Sequence, residues 1–344
     1  MPVEEAAIPA NVNDADAADF IESVRIHDLV ESLVYGHNDL AMTPAEVLPY
    51  WQVAASPRRL FVLRVDGVMV ARAMYEWLLD DPDTAWVHVD VLPEHRHRGY
   101  GRQLAEALEG AARSDGRTKL IGYAVSGEAP GQRLPSPTGF GSMPLDNAEV
   151  QFALGRGFRL EQVVRGSRLT LPFEVEVPAP DPDYRLHEWA ERVPDEWLGD
   201  MAIMLTRMST DAPSAGLEEP EDVHTPERIR AEEQAEAQSP RTNLTVAVEH
   251  LPTGRLAGFT ILSVPREVDR PVHQDDTLVL REHRGKRLGT LLKAANLDYL
   301  QRRSPGHPSV VTFNAEENRF MLDINEKLGF VPMGYEGAWR LELA

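Results

Sequence analysis

One strand–loop–helix stretch occurs twice in this chain, and it constrains the fold more than any other feature. In the first copy Val87, Val89 and Val91 alternate with other residues, the period of a strand with one buried face. Leu92-Pro93 ends that strand, because proline has no amide hydrogen for a ladder. A short loop holding Arg96, Arg98, Gly99 and Gly101 follows, and then Leu104, Ala107, Leu108 and Ala111 recur at helical spacing. Glycines permit a tight turn and close approach of backbone to a ligand, and a helix start offers unpaired amide hydrogens and partial positive charge. Such a loop cradles a phosphate or diphosphate. It has neither the Gly-Lys-Ser/Thr of a Walker loop nor the Gly-x-Gly-x-x-Gly of a dinucleotide fingerprint.

The second copy lies at a constant offset. Glu94, His95, Arg96, Gly101 and Leu104 return as Glu282, His283, Arg284, Gly289 and Leu292. A strand, Thr277 to Leu280, precedes this copy, and an amphipathic helix with Leu288, Leu291, Leu292 and Ala295 follows it. Further on, Gly157-Phe158 is matched by Gly329-Phe330 in the same order. The chain therefore reads as a tandem duplication. Its 344 residues suffice for two domains of ordinary size, placed at 1–172 and 183–344 with a proline-rich, semi-rigid linker over 173–182.

Each half shows one coarse order: strand, helix, helix, three strands, helix, strand, helix, strand. That is an α+β order built on a central mixed sheet. In the first half a helix runs from Phe20 to Tyr35 with Ile21, Val24, Leu29, Leu33 and Val34 on its inward side and Gly36 at its end. Thr43-Pro44-Ala45-Glu46 opens the next helix with a capping box, and Asp66-Gly67 joins two strands as a hairpin. Residues 126–145 are rich in Gly, Pro and Ser without period, an insertion relative to the second half and either an acceptor-side loop or a mobile segment. In the second half Met201, Met204 and Met208 are core filler, and the acidic stretch 218–238 is a partly helical solvated face.

The formal charge of −20 argues against nucleic acid as a partner. It either keeps the protein soluble or draws a cationic amine to a cleft. No apolar run approaches a membrane span, the N-terminus lacks the pattern of a signal peptide, and there is no cysteine, so the expected location is cytoplasmic. The alternate histidines of His95-Arg96-His97 lack a third ligand at suitable spacing, and no metal is expected.

The order Arg96-x-x-Gly99-x-Gly101 after a strand resembles the coenzyme A diphosphate loop of the GNAT superfamily of N-acetyltransferases, Gln/Arg-x-x-Gly-x-Gly/Ala. The resemblance covers nearly the whole chain as two tandem GNAT-like domains. It implies the GNAT fold, acetyl-coenzyme A as co-substrate, and an amine of a small molecule or peptide as acceptor. Carried over, the first loop binds coenzyme A through Arg96, His97, Arg98, Gly99, Tyr100, Gly101 and Arg102, and the second through Arg284, Gly285, Lys286, Arg287, Leu288 and Gly289. The backbones of Val89 and Val91, with Asp90 between them, and of Thr277, Leu278 and Val279 lie beside the thioester. Asn314 and Asn318 either hydrogen-bond the pantetheine or satisfy local backbone. Arg287 departs from the pattern by standing where glycine is expected, either adding a charged contact or crowding the loop.

Acetyl transfer to an amine needs a held carbonyl, a neutral nucleophile and a path for the leaving thiolate. A base on or near the motif strand is expected. His88 and Asp276 lie at equivalent positions, with Asp90 and Asp275 nearby. A histidine suits deprotonation near neutrality, whereas an aspartate needs a raised pKa or a water relay. The bland alternatives are a polar residue on a solvent-facing strand for His88 and a strand-start turn for Asp275-Asp276. The tyrosine that many family members place five residues before the Phe of Gly-Phe is replaced by Ala153 and Asn325, leaving Tyr123 and Tyr335 as acids only by sequence proximity. Two further readings stay open: a degenerate tandem GNAT that binds acyl-coenzyme A without turnover, and a protein binding another nucleotide through the loop.

Overall fold

The computed structural model describes residues 2–174 and 176–343. The first half runs β1 (Glu4–Ala6), α1 (Ala18–Tyr35), α2 (Pro44–Trp51), β2 (Arg58–Val65), β3 (Val68–Glu76), β4 (Thr84–Val91), α3 (Tyr100–Ser114), β5 (Lys119–Ser126), β6 (Arg133–Pro135), β7 (Ser142–Pro144), α4 (Ala148–Gly155) and β8 (Arg159–Thr170). The second runs β9 (Tyr184–Ala190), α5 (Leu198–Asp211), α6 (Pro226–Glu236), β10 (Thr242–His250), β11 (Arg255–Val264), β12 (Val272–Val279), α7 (Leu288–Arg303), β13 (Ser309–Ala315), α8 (Arg319–Lys327) and β14 (Val331–Glu342). The local signals act as expected. Gly36 ends α1 in the left-handed region, Thr43 and Glu46 form a reciprocal cap on α2, and Asp66 and Gly67 both take positive φ, the two-residue turn that matches strand twist.

Two expectations need correction. The 126–145 insertion is ordered: β6 and β7 pair antiparallel there, with Gly139 and Gly141 supplying the left-handed turn between them. The acidic stretch 218–238 is not simply a solvated face. Ile229 of α6 is buried against Met201 and Met204 of α5, and Glu219 reaches across to accept a hydrogen bond from the Tyr123 hydroxyl at 2.9 Å.

Twelve strands form one mixed sheet in the order β1-β2-β3-β4-β5-β14-β8-β13-β12-β11-β10-β9. The two longest strands are exchanged. β14, from the end of the chain, lies between β5 and β8, and β8, from the first half, lies between β14 and β13, all antiparallel. Helices cover both faces, so strands such as β2 bury residues on both sides. Phe61 and Leu63 meet Leu104, Leu108 and Ala112 of α3, while Leu60 and Val62 meet Phe20, Val24 and Ile26 of α1. In the second half α7 packs Leu288, Leu291 and Leu292 on one face, and α5 packs Met201 and Met204 on the other.

A buried ion cluster fastens the halves. Fully buried Glu46 of α2 receives Arg241 at 3.1 Å and Arg270 at 2.8 Å, both from the second half. Burial opposes its charge, but hydrogen bonds from Arg270 and the Thr43 amide, with the Arg241 charge, hold its pKa below the usual glutamate value. Among the described residues no helix is long and apolar enough to cross a membrane.

Candidate active site

β4 and β5 pair in parallel only from Thr84–Trp86 to Lys119–Ile121, and then separate. From Val87 onward β4 has no strand on that side, which leaves a V-shaped opening with backbone groups along its edge. Val87, Val89 and Val91 pack towards α3, so Trp86, His88 and Asp90 lie on the other face, where His88 and Asp90 meet α1 and Trp86 meets Leu217. β12 and β13 repeat the opening, pairing only Val272 and His273 with Val310 and Val311.

The loop beyond each opening is built alike. Arg96 donates from Nε to the Val91 carbonyl at 3.1 Å, and Arg284 does the same to Val279 at 3.0 Å, turning each loop back on its strand. Both loops place the same two positions in the left-handed region. These are His97 (φ 59°) and Gly99 (φ 83°) in the first, and Gly285 (φ 83°) and Arg287 (φ 60°) in the second. Arg287 therefore keeps the loop's shape, at a local cost of about 1–2 kcal/mol for a side chain at positive φ. Gly101 and Gly289 serve helix contact instead. A β-carbon on Gly101 would lie 3.4 Å from the Phe152 ring, and one on Gly289 would lie 3.0 Å from Ile324.

The loops differ in what their cations do. In the second, Arg284 and Arg281 both pair with buried Asp211 of α5, at 2.8 and 2.9 Å, and Lys286 lies over the Tyr184 ring. In the first, His97 and Arg98 are exposed and make no hydrogen bond or ion pair among the described residues, and Arg102 has only a loose pairing with Glu106 at 3.8 Å. Tyr100 begins α3 with its ring near His95. Arg287 of the second loop is likewise exposed and without an ion pair among the described residues, so the loops differ in that Arg281 and Arg284 are held by Asp211.

Next to the first opening sits a polar centre. Asp90, 3% exposed, accepts from His88 Nε2 at 2.9 Å and from His27 Nδ1 at 3.1 Å, with Arg72 Nε at 3.5 Å. Burial works against its ionisation, but His88 and His27 outweigh that and hold Asp90 well below the usual carboxylate range. Burial pushes His27 down, opposed by the Asp90 charge and its hydrogen bond. The ligand atoms of His27, His88 and Asp90 lie within 4.8 Å of one another, close enough to share a cation, yet Arg72 already places a positive charge against the same carboxylate. Above this centre Glu31 is raised to about 8 by burial and by Glu336, and Asp28 to about 6 by burial against a Met42 amide bond. Glu336, on exchanged strand β14, is also raised by burial and accepts from the Tyr35 hydroxyl at 3.1 Å.

His27 is the functional residue that sequence reading missed. The inward side of α1 carries Phe20, Ser23, Val24, Ile26 and Val30, whereas Ile21 and Leu33, expected inside, are exposed. Ser23, His27 and Glu31 form an i, i+4, i+8 polar line along the edge of the buried side. That line was the available signal.

The second opening lacks the counterpart. Leu278 stands where Asp90 stands and is buried against α5. Asp275 and Asp276 are not a strand-start turn: they form a bulge inside β12, where the register against β11 jumps between Thr260 and Leu262. Asp275 is open to water on one side but low among protein atoms, and burial, then Asp276, raise it to about 7. Burial raises Asp276 too, opposed by His224. Asn318 caps α8 by accepting from the Met321 amide, and Asn314 accepts from the Asn325 side chain at 2.7 Å, so these amides are engaged locally. Ala153 is packed in a core cluster, which leaves no phenol at either family position. Tyr123 is tied to Glu219, and burial raises its hydroxyl well above the ordinary tyrosine value.

An opened parallel strand pair, a turned-back arginine loop and a helix start beneath it define a GNAT-type acyl-coenzyme A fold. The sequence pattern of the acetyltransferase (GNAT) family matches residues 26–134. Across its length the chain is similar to a tandem GNAT protein from the clavulanic acid biosynthesis pathway, at 26% identity and TM-score 0.76, covering 99% of both chains. It shares its fold with a GCN5-related N-acetyltransferase from Sphaerobacter thermophilus (16% identity, TM-score 0.64, 99% and 96% covered). A putative acetyltransferase from Pyrococcus horikoshii is a more distant likeness (11%, TM-score 0.55, 99% and 88%). Among curated proteins no match is found. Residues 26–134 thus carry the GNAT pattern, and the chain as a whole has the fold of a tandem GNAT protein. GNAT family members are generally N-acetyltransferases, which makes acyl transfer the reaction class.

Proposed function

We propose that this protein is an acetyl-coenzyme A-dependent N-acetyltransferase that works through its first half on a cationic primary amine of a small molecule or peptide. The observation that carries this reading is the His88–Asp90 pair, set at the edge of the β4–β5 opening above a loop whose cations are uncommitted. The residues fit the co-substrate: His97 and Gly99 curl the backbone so that successive amides face a diphosphate, Arg98 and Arg102 add charge, and the free edge from Val89 to Val91 offers backbone partners to a pantetheine arm. Bound acetyl-coenzyme A supplies the thioester carbonyl. Asp90, ionised and able only to accept, sets the tautomer of His88 with its proton on Nε2, leaving Nδ1 as the lone pair. The attacking nitrogen, in its neutral form, bonds to the carbonyl carbon, the carbon–sulfur bond breaks with its electron pair leaving on the coenzyme A thiolate, and the amine proton passes to His88 Nδ1.

Substrate charge follows from the lining. No lysine or arginine pairs with Glu31, Glu336 or Glu219 among the described residues, and His88 is the nearest balancing group to Glu336. A substrate ammonium would answer that field. Thiol release from acetyl-coenzyme A, measured with polyamines, aminoglycosides and amino-acid amides, tests the reading, with turnover expected for amines that carry a second positive charge. Ala153 and Asn325 at the positions where many family members carry a tyrosine favour a second reading, a degenerate GNAT that binds acyl-coenzyme A without turnover. Calorimetric binding with no thiol release across the panel would select it.

A further inference from the structure

Asp90 joins two histidines from elements far apart in sequence, β4 and α1, and their rings meet edge to face at a centroid distance of 4.9 Å. We propose that His27 is a positioning residue for the transfer: its Nδ1–H on one Asp90 oxygen holds the carboxylate so that the other oxygen orients the His88 ring. This rests on the reading of His88 as base. The geometry is specific to it. Arg72 Nε lies 3.5 Å from the same Oδ2 without a hydrogen bond, so among the described residues His27 is that oxygen's hydrogen-bond donor; without it the carboxylate would shift onto Arg72 and loosen His88, which stands on a strand edge with no β5 neighbour. With Oδ2 taken by His27 and Oδ1 by His88, only one ring orientation of His88 keeps its bond, and it points Nδ1 away from Asp90. The charged groups facing this pair are Arg72 from β3, Asp28 and Glu31 from α1, and Glu336 from β14. None of them replaces the His27 donor.

The test compares His27→Ala and His27→Asn in the full chain. Steady-state rates are taken across pH, together with the NMR titration of the His88 ring, assigned through His88→Gln. The asparagine side-chain amide reaches the place of Nδ1, and alanine leaves it empty. With alanine, the kcat plateau should fall roughly tenfold, less than the ~10²-fold low end for losing the base itself, because His27 acts on the base only through Asp90. The His88 titration and the pH midpoint of kcat should move upward, because Asp90 then acts on His88 with its charge less shared. KM for acetyl-coenzyme A should hold, and asparagine should restore both rate and midpoint. His27→Phe, which fills the ring volume without a donor, replaces alanine if that variant does not fold. Folded variants with wild-type kcat and an unmoved His88 titration would overturn the proposal, as would an asparagine variant no better than alanine. If wild-type protein turns over no amine, the functional reading fails, but the His88 titration still decides whether His27 orients it.

Discussion

Gly99 and Arg287 occupy the same left-handed position, the residue immediately before α3 and α7, at φ 83° and 60°. Two halves that diverged in side chain kept one backbone path. Replacing Arg287 with glycine should therefore leave the loop unchanged and raise stability by up to about 1 kcal/mol, the relief of positive φ reduced by the freer unfolded chain. Chemical denaturation of Arg287→Gly measures it, and a loss of stability would show that the exposed guanidinium holds a contact of its own.

The number of coenzyme A sites follows from the cations. Arg281 and Arg284 are spent on Asp211, whereas among the described residues no carboxylate pairs with Arg96, the first loop's counterpart of Arg284. Calorimetry should find one tight equivalent. Gly101→Leu should abolish it, because the Phe152 ring already lies 3.4 Å from where a β-carbon would sit. Asp211→Asn should free the second loop and bring in a weaker second equivalent. Two equal sites in the unaltered protein would contradict this assignment.

Glu46 tests how the halves are joined. Its carboxylate answers Arg241, which is itself buried, so Glu46→Gln strands a charge and should cost about 3–5 kcal/mol. The pKa of Glu46 is depressed in the folded state, so its contribution is present above the unfolded glutamate value of 4.5 and is lost as pH falls below it. Urea unfolding should show the wild type and the variant far apart at pH 7, with the gap narrowing only as pH falls from 4.5 through the lower folded-state value of Glu46.

How much of this was legible in the sequence depends on whether the signal is local. Periodicity, caps and the Asp66-Gly67 turn concern near neighbours, and the element order in both halves could be read from them. The exchange of β8 and β14 could not, because strand order carries no mark of which strand lies beside which. Without it Glu336 has no place in the first cleft. His27 and Asp90 are 63 residues apart, and only the packing of α1 on β4 brings them together. The coenzyme loops were legible as motifs, but the pairing of Arg284 with Asp211 lay outside them. The hairpin in 126–145 was missed because strands of three residues are too short to show a period.

The cleft carboxylates set a pH dependence of opposite sign to that of Glu46. Glu31 is raised to about 8, and Glu236, the last residue of α6, to about 7, mainly by burial. Between the unfolded carboxylate values and these, the folded protein binds more protons than the unfolded one, so stability falls as pH rises. Melting temperature should decline from about pH 5 towards pH 8, and Glu31→Gln should flatten the upper part of that decline. A cationic amine that fills the cleft should release protons on binding at pH 7, which calorimetry in buffers of different ionisation enthalpy detects.

The strongest contrast lies between the two halves' carboxylates. Asp90 is ionised, buried and bonded to His88, whereas Asp276 sits at the equivalent of His88 with no histidine bonded to it and Leu278 in place of Asp90. Asp90→Asn presents an amide that can donate as well as accept, so it allows the wrong His88 tautomer and removes the charge that stabilises the protonated ring. Loss of this base should lower kcat by roughly 10²- to 10⁴-fold with little change in KM for acetyl-coenzyme A. Asp276→Asn should leave kcat within about twofold if, as proposed, the transfer runs through the first half alone. A pH–rate profile for each variant discriminates further: the ascending limb at low pH should vanish in His88→Gln and persist in Asp276→Asn. Equal losses in Asp90→Asn and Asp276→Asn would place the chemistry in both halves and remove the distinction between them.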